Sequence, residues 1–159
     1  MRFALCFVIL MVCFSCKEEQ AAKEWSRAKV TDQVVQMLLD YHTAIAKDGL
    51  MAEFPYLDDS NDFFWVPPGY TAPLGIDSVK AILTQNAKGF AAINFEWESL
   101  EIFPLSEDIA TYTGIVSGTM TDTADQVTHP RIIESGTLIK RNDGWKLLCG
   151  QSANLEEQP

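Results

Sequence analysis

The hydrophobic period of this chain changes near Ala92, and that change restricts the fold more than any motif does. Before it, Val34, Leu38, Tyr41 and Ile45 recur at helical spacing, with Val35, Leu39 and His42 beside them. After it, Phe95, Trp97, Ser99, Glu101 and Phe103 alternate against Asn94, Glu96, Glu98, Leu100 and Ile102, the period of a strand. Each element has one apolar face and must bury it against another. Helices first and strands afterwards specify an α+β domain rather than alternating α/β units.

The boundaries follow from local chemistry. Thr31 or Asp32 can cap the opening helix, and Gly49 suits its C-terminus. Residues 50–57 read as a second short helix, and residues 58–62, Asp-Asp-Ser-Asn-Asp, as a solvated polar turn. Phe63-Phe64-Trp65-Val66 is a short strand stopped by Pro67-Pro68-Gly69. After Gly75 a further helix places Ile76, Val79, Ile82 and Leu83 on one side, and Gly89 can end it. Four long antiparallel strands follow; those after the first occupy residues 109–121, 131–141 and 145–152. Asn142-Asp143-Gly144 makes the last hairpin turn. Gly114, Gly118 and Gly136 stand where bends or bulges would curve the sheet around the helices and leave a cavity.

Residues 1–15 read as a leader: Arg2, twelve apolar residues, then Ser15. The apolar stretch is short of the ~20 residues that a span requires. Cys16 follows directly, and the order resembles the cleavage box of bacterial lipoproteins. That resemblance implies an acylated Cys16, a lipid bilayer as partner and a place in the cell envelope at the outer membrane. Lys17-Glu18-Glu19 resembles a short surface-export signal, which leaves open which side of that membrane the protein faces. The alternative is an ordinary secretory peptide with Cys16 incidental. Residues 16–29 then form a charged tether, residues 30–152 one domain and residues 153–159 a frayed tail. Cys6 and Cys13 leave with the leader. Cys149 is left as a buried core thiol or, alternatively, a catalytic one. Without the leader the formal charge falls from −10 to about −11. Such acidity excludes a nucleic-acid footprint and docking on anionic lipid by charge.

The order of elements over residues 30–152 resembles the SnoaL-like, or nuclear-transport-factor-2-like, superfamily. The matching pieces are the helix to Gly49, residues 54–62, Phe64-Trp65-Val66-Pro67, Gly75-Ile76-Asp77-Ser78-Val79 and Asp143-Gly144-Trp145-Lys146-Leu147. The resemblance implies a cone of curved antiparallel sheet packed on N-terminal helices. It also implies a homodimer through the sheet. Function does not follow from such a fold.

Tyr41 matches a position that, in the ketosteroid-isomerase branch, polarises a substrate carbonyl; the alternative is a packing role. The carboxylates of that branch fall here on Val66 and on Gly136 or Thr137, which cannot serve. Trp65, Tyr70, Phe95, Trp97 and Tyr112 can line the cone, and Gln151 can donate to a ligand; ordinary core packing accounts for the same aromatics. Arg131 and Glu134 lie on opposite strand faces, so one of them can enter the cavity. His42 and His129 lack ligand spacing, and residues 58–69 lack the Gly and Glu of a calcium loop, so neither a metal nor a cofactor is expected. The favoured expectation is a membrane-anchored module that binds a small hydrophobic ligand. Two alternatives stand beside it. One is an isomerase or hydrolase using Tyr41 with an acid such as Asp62 or Glu134. The other is a dimeric interaction protein with a vestigial pocket.

Overall fold

The computed structural model describes residues 25–155. The leader, Cys16, most of the tether and residues 156–159 lie outside them. Helix α1, Arg27–Asp48, begins earlier than Thr31 or Asp32 would start it. Ser26 is the cap, and its hydroxyl accepts from the Lys29 N–H at 3.3 Å. The reason is that Val30 joins the buried stripe, giving Val30, Val34, Leu38, Tyr41 and Ile45 one continuous inward face. Arg27 to Lys29 are therefore helix and not tether. Gly49 turns the chain out of α1 with φ +80°, a value that glycine adopts freely.

A 3₁₀ segment, Leu50–Tyr56, follows. Strand β1 is Phe64–Val66 and helix α2 is Ile76–Asn86. The long strands are β2, Phe90–Pro104, and β3, Ile109–Asp122. A two-residue strand β4, Val127–Thr128, precedes β5, Arg131–Arg141, and β6, Gly144–Asn154. The sheet order is β1-β6-β5-β3-β2, with β4 beside β3. The long strands are antiparallel as expected, but β1 runs parallel to β6, so the sheet is mixed. Strand β6 continues to Asn154, which pairs with Ile132, so residues 153 and 154 belong to the sheet and not to a tail.

The glycines serve differently from expectation. Register shifts fall between Phe90 and Ala92, between Trp97 and Ser99 and between Thr137 and Leu138. Gly136 and Gly150, paired across β5 and β6, instead make room for the Trp65 ring. A Cβ on Gly150 would lie 2.5 Å from that ring. Gly114 admits the Trp97 ring in the same way. The core lies between α1 and the concave face, where Val34, Leu38, Ile45, Leu138 and Leu147 are the largest fully buried side chains. Truncating one such leucine to Ala costs about 2–5 kcal/mol.

Candidate active site

The cone encloses a mostly apolar cavity of about 290 Å³ between α1, the 3₁₀ segment, α2 and the inner sheet face. This is near the lower end for small-molecule sites, so the cavity suits a compact ligand. Phe63, Trp65, Phe95 and Leu147 form much of its wall. Two carboxyls and two phenols meet in this region, and each pair has its own origin.

The first pair joins α1 to the 3₁₀ segment. Tyr41 belongs to the inward stripe of α1. In a 3₁₀ helix residues i and i+3 eclipse, so Glu53 shares the face of Leu50, which is buried. Glu53 is thus carried into the cavity wall with 9% exposure. The Tyr41 hydroxyl donates to Glu53 Oε2 at 2.7 Å. Burial pushes the Glu53 carboxyl up to about 8; the Tyr41 hydrogen bond opposes this, and the charge of Glu134 adds to it. Tyr41 is itself raised, by burial first and then by the charge of Glu53.

The second pair spans the sheet. On β5, Ile132, Glu134, Gly136 and Leu138 point inward by strand alternation. Glu134 sits directly opposite Ser152 on β6, and Tyr112, opposite Gly136, is its diagonal neighbour on β3. The Tyr112 hydroxyl donates to Glu134 Oε1. Trp65 Nε1 donates to Ser152 Oγ at 2.9 Å, and Ser152 Oγ donates to Glu134 Oε2 at 3.3 Å. Burial raises the Glu134 carboxyl, while its bonds from Tyr112 and Ser152 pull it down.

The structure sorts the residues singled out from sequence. Tyr41, Trp65 and Phe95 line the cavity. Tyr112 is buried and reaches it through Glu134. Tyr70 does not line it: it lies exposed in the loop after β1. Trp97 packs beneath His42 instead, ring centroids 4.9 Å apart and nearly parallel. Gln151 faces the outer side of the sheet with Phe64, Val66 and Cys149, because its neighbours Gly150 and Ser152 take the inward positions. Cys149 is half-buried on that outer side, not in the core. Of the two acids suggested for Tyr41, Glu134 enters the cavity and Asp62 is exposed in its turn. Arg131, on the opposite face from Glu134, holds Glu98 at the surface. Asp58 is not solvated: it is buried and forms a bidentate pair with Arg141, with Nε to Oδ1 at 2.7 Å, and this bond holds its carboxyl below the usual range.

Val66, Gly136 and Thr137 supply no acid, as the alignment with ketosteroid isomerases implied, yet acids reach the cavity from other positions. Glu53 was missed. Its signal was available: it is the only charged residue between Gly49 and Leu57, in an otherwise apolar run. Among the described residues no group of three or more His, Cys, Asp or Glu converges as metal ligands would.

No protein-family model matches the chain, and no curated protein matches it in sequence. Solved structures match its shape. A protein of Novosphingobium aromaticivorans named as a candidate scytalone dehydratase aligns with TM-score 0.71 at 15% identity, over 81% of this chain and 86% of that one. A nuclear transport factor 2-like superfamily protein of Salmonella enterica aligns with TM-score 0.71 at 15% identity, over 84% and 96%. A type 2 hexachlorocyclohexane dehydrochlorinase, LinA, aligns with TM-score 0.66 at 14% identity, over 82% and 88%. At such identities the likeness speaks for architecture alone. With its helices packed into a curved six-stranded sheet, the chain has the nuclear-transport-factor-2-like α+β fold.

Proposed function

We propose that the cavity carries out proton-transfer chemistry, isomerisation or dehydration, on a small and largely apolar substrate. The observation that carries this reading is Glu53: a carboxyl in the wall of an apolar cavity, hydrogen-bonded to Tyr41 and held at about 8. A general acid–base group works best with a pKa near the ambient pH. The ionised fraction of Glu53 would take a proton from a carbon beside a carbonyl. The Glu53 acid so formed would return it to another carbon, or to a departing hydroxyl that leaves as water. The Tyr41 hydroxyl, released when Glu53 is protonated, would donate to the substrate oxygen where charge develops. Neighbours in shape named for dehydration and dehydrochlorination are compatible with this chemistry. The expectation of a pure binding module loses ground because its premise, a cavity without a perturbed carboxyl, does not describe this one.

The test is solvent-deuterium exchange and dehydration across a panel of small apolar ketones and β-hydroxy ketones. The wild-type protein should accelerate at least one member, and Glu53→Gln should lose about 10²–10⁴-fold of that rate. No acceleration of any member, with a hydrophobic compound raising Tm equally in both proteins, would restore the binding module.

Two proposals about setting accompany this one. Cys16, behind its apolar leader, anchors the domain to the outer membrane by acylation; Cys16→Ser should move the protein to the soluble fraction. The outer sheet face pairs with a second copy. It bears a register row from Phe64 through Cys149, Thr137 and Thr111 to Phe103, with both phenylalanines nearly half exposed. Sedimentation of Phe64→Glu and Phe103→Glu checks it.

A further inference from the structure

The same cavity has two acidic groups and no basic partner, which proton transfer by one carboxyl does not explain. Glu53 and Glu134 both line it, yet none of the described residues lining it is Lys, Arg or His. Buried carboxylates are ordinarily matched by a cation. Asp58, buried at the other end of the 3₁₀ segment, is so matched, by Arg141. Glu134 has in addition a bond from Tyr112 on one oxygen and from Ser152 on the other. Two donors on two oxygens orient the group as an acceptor and leave each oxygen a further lone pair. The rings of Trp65, Phe63, Phe95 and Tyr41 line the same cavity, and an aromatic face attracts a cation within about 6 Å.

We infer that the ligand supplies the missing cation: the cavity takes a compact hydrophobic amine, whose ammonium group is received by Glu134 while its apolar body lies against Trp65, Phe63 and Phe95. The inference rests on the proposed site but specifies its substrate class, which proton transfer by Glu53 leaves open. An anionic ligand is disfavoured, because no described lining group carries a compensating positive charge. The titratable groups that face the two carboxyls are Tyr41 from α1 and Tyr112 from β3; neither brings positive charge. Burial keeps both carboxyls raised while the cavity holds no cation, so an entering ammonium ionises a carboxyl and a proton leaves to solvent. Binding must therefore tighten as pH rises from the ordinary carboxylate range through the raised one of Glu134.

The experiment compares benzylamine, benzyl alcohol and benzoate, three probes with one skeleton, by calorimetric titration of the full chain. Benzylamine should bind roughly ten- to a hundredfold tighter than benzyl alcohol, the range for a charged over a neutral hydrogen bond, and benzoate should not bind. The benzylamine advantage should grow as pH rises above the ordinary carboxylate range and should vanish in Glu134→Gln, with benzyl alcohol unaffected. If Glu134→Gln does not fold, the wild-type pH comparison decides. Benzoate binding as well as benzylamine, or an amine advantage that does not change with pH, overturns the inference. Turnover of neutral ketones without any amine preference would overturn it too, while leaving the proton-transfer reading intact. Amine preference without turnover would support it and sink that reading instead.

Discussion

Tyr41 and His42 are neighbours on α1, are 8% and 7% exposed, and face opposite chemical fates. Tyr41 points into the cavity and finds Glu53. His42 points at β2, where its ring stacks on Trp97; its Nδ1 and the Trp97 Nε1 are buried without a hydrogen-bond partner. Burial lowers His42 to about 4, so it sits there as a neutral, flat packing surface. Equal burial thus produces a hydrogen-bonded group in the cavity wall in one case and filler in the other. What separates them is whether a second ionisable group is brought within reach. Leaving polar nitrogens unmatched costs stability, and the stack with Trp97 offsets part of that cost.

The comparison can be broken at each end. The largest effect is expected from Glu53→Gln. In the folded protein Glu53 keeps its proton up to about 8 rather than 4.5, so the folded state is progressively disfavoured as pH rises through that window. By linkage the penalty reaches up to roughly 5 kcal/mol above pH 8. The variant should therefore be more stable than the wild type above pH 8 and flatten the fall in stability between about pH 4.5 and 8; equal slopes there would remove Glu53 from the account. Trp97→Ala should come next, with a loss of about 3–4 kcal/mol in chemical denaturation near neutral pH that shrinks as pH falls, because His42, no longer covered, then takes up its proton more readily. A loss that stays constant as pH falls toward 4 would mean that Trp97 does not keep His42 from water.

His42 acts with the opposite sign. Its folded value lies below 6.5, so its contribution is present above pH 6.5 and is lost as pH falls toward 4, by up to roughly 3 kcal/mol. His42→Phe should keep the stack and be the more stable protein at pH 5, with little difference at pH 8. The smallest change belongs to Tyr41→Phe, which removes one hydrogen bond and costs about 1–2 kcal/mol. It should also push Glu53 higher, since the Tyr41 bond holds Glu53 down. A lower value in Tyr41→Phe, read from the alkaline limb of thermal denaturation, would contradict the pairing.

Much of the fold was legible because it is written in local periodicity. Strand β5 occupies the residues read for it, and the helices and remaining long strands differ only at their ends. The errors lie where distant contacts decide. Ser26 caps α1 because Val30 meets the core; β6 runs past Ser152 because Ile132 is there to pair with Asn154. The parallel pairing of β1 with β6 joins Phe64 to Cys149, too far apart in the chain for any window to connect. The site follows the same division. Tyr41, Trp65, Phe95 and Glu134 could be singled out from the residues, but Glu53 was read as one residue of a short helix, and Tyr70, Trp97 and Gln151 were given to a cavity they do not enter.

The sequence by itself determined the α+β class, the order of elements and the apolar face of each. These depend on spacing within a dozen residues, and spacing is printed in the chain. Only the tertiary structure decided that a 3₁₀ turn would bring Glu53 to Tyr41, and that the sheet would bring Tyr112 and Ser152 to Glu134. A carboxyl acquires its chemistry from the water it loses and the partners it gains. Both depend on which segments come to lie across from it once the sheet has curled around the helices.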